Sequence, residues 1–168
     1  MTNAAHAFRL VALVMVQLVF FTNLPLSVYG NPYIYIIGLL WLPFRINLGV
    51  YYAIAFAVGT LLDSMEQSGG AHTAACLTMA ALRRPVVMGL LSYKATENVD
   101  FTLSRTSLMN FATATPLLVL AHHFVLFLFE NGSLSFMGSV LLRTLLSSIL
   151  TYVVILIIQG LFAKPNES

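Results

Sequence analysis

Charge is what this sequence has least of. Only 8% of its 168 residues are Asp, Glu, Lys or Arg, against roughly 25% in a typical soluble domain. Eight basic and six acidic side chains are too few to cover a water-soluble protein of this length. That excludes a cytosolic enzyme, a disordered chain and a nucleic-acid binder. The formal charge of +2 offers no basic surface to a polyanion. Cysteine is nearly missing as well. Cys76 stands alone, so no intrachain disulfide can form and no Cys-rich metal site exists. What the chain does have is apolar side chains, 59% of the total, with a mean hydropathy of +0.89. It reads as one integral membrane domain built from helices.

A bilayer core of roughly 30 Å takes about 20 apolar residues in a helix. Six segments answer to this pattern: Phe8–Tyr29, Pro32–Phe44, Leu48–Leu62, Ala71–Leu91, Ser107–Phe129 and Leu134–Phe162. The first is too long and too aromatic for a cleaved signal peptide, and no small-residue cleavage site follows it. The second and third are short. They form either two crossings of about 20 Å each or a re-entrant pair. Asn31-Pro32 predicts a helix start, since Asn caps and Pro at the first position loses no needed amide. Ser68-Gly69-Gly70, Glu130-Asn131-Gly132-Ser133 and Lys164-Pro165-Asn166 predict turns and an end. The polar stretch Ser92–Arg105 predicts a loop.

The distribution of basic residues orients such a bundle. With six crossings and a cytoplasmic N-terminus, Arg9, Arg45, Arg83, Arg84, Lys94, Arg105 and Lys164 fall on the cytoplasmic side, seven of the eight basic residues. Both termini are then cytoplasmic. Asp63, Glu66 and Glu130 face outward. Merging Pro32–Leu62 into one span would put Arg83, Arg84, Lys94 and Arg105 outside, against the charge bias.

Ionisable residues at membrane depth are the first candidates for function. Asp63 ends the third segment and His72 begins the fourth, so the two are expected together as a polar clasp at the outer surface. An acid–base pair needs a third group or a positioned nucleophile, and the sequence supplies neither. The plain alternative is two interfacial residues capping helix ends. Gly69 and Gly70 allow a tight turn with positive φ. Arg83-Arg84-Pro85 predicts a cytoplasmic boundary, with Val86–Leu91 lying along the interface. Arg83 and Arg84 there contact lipid headgroups or dock a cytoplasmic partner. Arg143 falls about 14 Å into a helix that starts at Leu134. It either snorkels from a later helix start near Met137–Ser139 or pairs with Asp63, Glu66 or Glu130. His122 and His123 are neighbours, about 100° apart around a helix, so they cannot chelate one metal together; packing inside the bundle is the simpler reading. Small residues such as Ala55 and Gly59, and Ala71 and Ala75, predict close contact between the third and fourth helices. No cofactor or metal site is expected.

Several of these residues form a pattern. Asn31-Pro32-Tyr33-Ile34-Tyr35 with Leu42-Pro43-Phe44, Gly59-Thr60-Leu61-Leu62-Asp63 before Gly69-Gly70-Ala71-His72-Thr73, and Arg83-Arg84-Pro85 together resemble the rod shape-determining MreD family in its Bacteroidetes form. The resemblance runs from about Phe8 to Phe162. It implies an all-α, polytopic protein of six transmembrane helices with a short second and third pair, resembling the S-component fold of energy-coupling-factor transporters. It further implies a non-enzymatic scaffold of the cell-elongation machinery in the bacterial inner membrane. The implied partners are MreC directly, the cytoplasmic filament MreB, RodA and a class B penicillin-binding protein in the same complex, and the lipid bilayer around the chain. The shared architecture leaves one rival, a small-molecule-binding subunit of a vitamin-type transporter. Such a subunit needs several convergent polar groups at mid-membrane, and Gln17, Asn110, Thr115, His122 and His123 are a thin set.

Overall fold

In the computed structural model, residues 3–21, 30–90, 108–132 and 134–162 are described. The described residues hold six α-helices: α1 (Asn3–Val16, continued by a π-turn over Gln17–Phe21), α2 (Tyr35–Leu40), α3 (Leu48–Glu66), α4 (Ala71–Leu90), α5 (Leu108–Asn131) and α6 (Met137–Phe162). The expected loop Ser92–Arg105 and the expected end at Lys164-Pro165-Asn166 lie outside the described residues, as does Ser133 of the expected turn.

Four stretches are long and apolar enough to cross a membrane: Ala4–Phe21, Leu48–Glu66, Met109–Asn131 and Met137–Leu161. Their outer faces are apolar. Leu145, Ile149, Val153 and Ile157 of α6 are exposed, as are Phe8 and Val11 of α1 and Phe56 of α3. The interior meanwhile holds His72, Arg83, His122, His123, Ser147 and Thr151. Apolar outside and polar inside is the arrangement a bilayer selects. The chain is a helical membrane protein.

The contacts set the directions. Gly59 of α3 sits against the backbone of Thr73, where a Cβ would lie 2.4 Å from the Thr73 Cα. At the other end of the same pair, Tyr51 and Arg83 stack, so α3 and α4 are antiparallel. Arg143 meets Glu130 and Thr151 meets His123, so α5 and α6 are antiparallel too. α2 runs with α4, since Tyr35 reaches His72 and Leu40 reaches Arg83. It runs against α1, since Ile34 bonds Gln17 and Trp41 lies under Arg9. Segment 30–34 runs with α6, because Asn31 meets Ser147 and Tyr33 meets Thr151. The chain therefore passes through the bundle in alternating directions. The turns α3–α4 and α5–α6 share one end.

Three expectations are corrected. Pro32–Phe44 is not one continuous helix. Only the six residues Tyr35–Leu40 are helical, and all six are buried. Asn31 caps nothing, because the helix starts after Ile34. The third segment is not short. It continues through Asp63 to Glu66, giving 19 residues, because Asp63 and Glu66 lie in its last turn, where their heads find polar partners. The fourth helix keeps the expected bounds, Ala71–Leu90 against the segment Ala71–Leu91, and runs through Pro85. A proline in a helix frees one carbonyl and kinks the axis without necessarily stopping it.

Candidate functional site

The buried helix α2 and the segment leading into it gather much of the polar interior of the bundle. Non-helical backbone at membrane depth is tolerated only where its amides and carbonyls are satisfied by protein. Segment 31–34 has three amides, since Pro32 contributes none. The Asn31 amide donates to Ser147 Oγ at 3.1 Å, Tyr33 to Thr151 Oγ1 at 2.9 Å and Ile34 to Gln17 Oε1 at 2.8 Å. Beyond the other end of α2, Arg83 donates to the carbonyls of Leu40 and Leu42. The Tyr51 hydroxyl donates to the Leu39 carbonyl at 3.4 Å. The guanidinium is sandwiched by Phe44 at 4.1 Å and Tyr51 at 4.9 Å from the ring centroids.

Arg83 therefore differs from the boundary anchor expected of it. It is 3% exposed and holds the C-terminal end of α2, where helix carbonyls carry partial negative charge. Its neighbour Arg84 is exposed. A helix turns by about 100° per residue, so two adjacent arginines point in different directions and meet different solvents.

Asp63 and His72 do come together at the α3–α4 turn. Gln67 sits at φ 56°, and Gly69 and Gly70 at φ 64° and 97°, which reverses the chain in four residues. Asp63 then faces the first turn of α4. Its Oδ1 accepts from Ser68 Oγ at 2.5 Å and the His72 amide at 2.9 Å; its Oδ2 accepts from the Thr73 amide at 3.0 Å and Thr73 Oγ1 at 2.5 Å. The carboxylate caps α4 from across the hairpin, where orphan amides and the helix dipole both favour a negative charge. Arg143 is not part of this clasp. It pairs with Glu130 at 2.8 Å and lies over the Phe127 ring at 4.3 Å. α6 begins at Met137, so Arg143 is less than two turns from the helix start and keeps to its own hairpin.

The His72 ring extends inward. Its Nε2 meets Glu66 Oε2 at 3.0 Å and its Nδ1 meets the Tyr35 hydroxyl at 3.0 Å. The same hydroxyl meets His122 Nε2 at 2.8 Å. His72, Tyr35 and His122 are completely buried. Beside them, His123 Nδ1 donates to the Val119 carbonyl at 2.7 Å and its Nε2 meets Thr151 Oγ1 at 3.3 Å. Tyr33 packs between the His72 and His123 rings, with centroids 5.7 and 5.2 Å away. His122 and His123, expected to pack, thus take part in two hydrogen-bonded chains.

Sequence reasoning missed Tyr35, Ser147 and Thr151 and left Gln17 without a role. One signal was available. Thr144, Ser147, Ser148 and Thr151 recur at i, i+3, i+4 and i+7, a polar stripe on an otherwise apolar helix. All four are buried. No group of three or more His, Cys, Asp or Glu side chains arranged to hold a metal occurs among the described residues.

The fold and site define a class: a helical membrane protein whose bundle encloses one short helix tied by its backbone to its neighbours. Comparison with known proteins goes no further, since no family model, curated protein or solved structure matches the chain.

Proposed function

We propose that the chain is a non-enzymatic scaffold subunit of the bacterial cell-elongation complex, of the MreD type. In this reading it lies in the inner membrane with both termini cytoplasmic and passes the bundle six times. It holds MreC, and through it the wall synthases, in position beside MreB, RodA and a class B penicillin-binding protein. One observation carries the reading. Residues of the block that resembles that family fasten one segment to another: Asn31 to α6 through its backbone amide, Asp63 to α4 and Arg83 to α2 through their side chains. Groups committed to internal fastening suit a rigid platform better than a binding cavity. The apolar outer faces of α5 and α6 suit lipid or a partner's spanning helix.

Depletion in the host is expected to disrupt cell shape and elongation without creating a vitamin requirement, and tagged protein is expected to co-purify MreC. Normal shape together with a nutrient requirement would replace this reading with the vitamin-type transporter subunit. Topology is tested separately. Gln67→Cys in a Cys76→Ser background should react with an impermeant thiol reagent added outside intact cells.

A further inference from the structure

Two neighbouring histidines end their hydrogen-bond chains differently. Around His123 every role is settled. A carbonyl only accepts, so Nδ1 carries the proton and donates to Val119. Nε2 is then an acceptor and takes the Thr151 hydroxyl proton, leaving the Thr151 oxygen to accept from the Tyr33 amide. That chain closes on itself.

The His122 chain does not close. With the His72 ring neutral, the Glu66 carboxylate accepts from Nε2–H, and Nδ1 is a lone pair that accepts the Tyr35 O–H. The Tyr35 oxygen, its proton committed, accepts from His122 Nε2–H. His122 Nδ1 is then a lone pair, completely buried, with no hydrogen-bond partner among the described residues. A buried polar atom left unpaired is costly, and in a native interior it calls for an explanation.

We propose that Glu66, His72, Tyr35 and His122 form a proton relay joining that interior ring nitrogen to the α3–α4 end of the bundle. Each member can give one proton and take another. A donor at Nδ1, a water molecule or a ligand N–H or O–H, delivers a proton there. His122 releases its Nε2 proton to the Tyr35 oxygen. Tyr35 releases its own proton to His72 Nδ1. The excess proton then rests on the His72–Glu66 pair, and Glu66, with its side chain 17% exposed, passes it to water. No atom but hydrogen moves, and one proton enters for each that leaves. The reverse sequence carries a proton inward.

The surroundings bear on the relay from every packed element. Asp63 lies beside it on α3, Cys76 on α4 approaches Tyr35, and Tyr33 lies between the rings. His123 on α5 adjoins His122, while Glu130 on α5 and Arg143 on α6 act on Tyr33. Because Glu130 and Arg143 pair with each other, the carboxylate that couples to the relay is Glu66.

The relay makes a prediction that a static clasp does not. When the excess proton rests on the His72–Glu66 pair, the Tyr35 hydrogen bonds are reversed: the His122 Nε2 proton has passed to Tyr35, and the donor's proton has taken its place on the ring at Nδ1. Nitrogen-15 ring resonances report each histidine's tautomer and charge. In the full chain in lipid nanodiscs, lowering the pH is expected to switch His122 from the Nε2–H to the Nδ1–H form. Tyr35→Phe is expected to abolish the His122 switch. A His122 ring that keeps one tautomer through the whole pH range in which the wild-type bundle stays folded overturns the proposal. So does a His122 switch that persists in a folded Tyr35→Phe protein. If that variant does not fold, the wild-type titration decides.

Discussion

The two ends of α2 are held by different chemistry. At its entrance three amides meet three neutral oxygens, one each from Gln17, Ser147 and Thr151. At its exit two carbonyls meet one cation, Arg83. A helix of six residues closes few bonds of its own, so most of its polar groups must borrow partners. At the entrance Pro32 removes one donor, and short hydroxyl and amide side chains reach the rest without bringing charge into the membrane. At the exit the carbonyls carry partial negative charge. One guanidinium with its forked donors serves two of them, and the rings of Phe44 and Tyr51 stand in for its lost water. The difference teaches that a buried cation is acceptable where several acceptors converge, and unnecessary where single donors lie apart.

The comparison breaks most readily at the exit. Arg83→Met removes the cation and strands two carbonyls, and hydrogen bonds to charged groups are worth about 1.5–3 kcal/mol each. This variant should lose the most in thermal unfolding in detergent. Arg84→Met, one residue away and exposed, should stay within about 0.5 kcal/mol of wild type. Equal losses would mean that Arg83 acts only as general positive charge.

The entrance should yield less. Thr151→Val keeps the shape but deprives the Tyr33 amide of its acceptor and His123 of its donor, at about 1–2 kcal/mol. Ser147→Ala strands only the Asn31 amide and should cost about 0.6 kcal/mol, near the mean for such contacts in membrane bundles. A Ser147→Ala loss as large as that of Arg83→Met would erase the contrast between the ends.

The smallest effects belong to the α3–α4 and α5–α6 turns. A double-mutant cycle on Glu130 and Arg143, a partly exposed pair, should give a coupling below about 1 kcal/mol. Asp63→Ala and Arg143→Ala should be additive within about 0.5 kcal/mol, because the two residues share no partner. Strong coupling between them would restore the Asp63–Arg143 pairing that the geometry has separated.

Legibility followed the range of the physics involved. The turn at 67–70 was readable because Gly69 and Gly70 act on the chain next to them. Asp63 and His72 were readable as a pair because the hairpin that joins them is short. Arg83 was misread, since the same residue serves a headgroup or a buried carbonyl equally well until its neighbours are known. Tyr35 was read only as part of the Asn31–Tyr35 motif, and its hydroxyl gains meaning only from His72 and His122, 37 and 87 positions away.

Scarce charge and abundant apolar side chains determined by themselves that this chain lives in a bilayer as helices. Transfer of apolar surface and internal pairing of the backbone need no tertiary detail to have that outcome. The close packing of the third and fourth helices was likewise written in Gly59, which leaves no side chain between them. What became of Pro32–Phe44 was decided only by the tertiary structure. A short apolar run reads alike whether lipid or protein surrounds it. Its backbone is sustained by Ser147 and Thr151, 116 and 118 residues distant from the amides they accept, and no local pattern can say that those oxygens will be there.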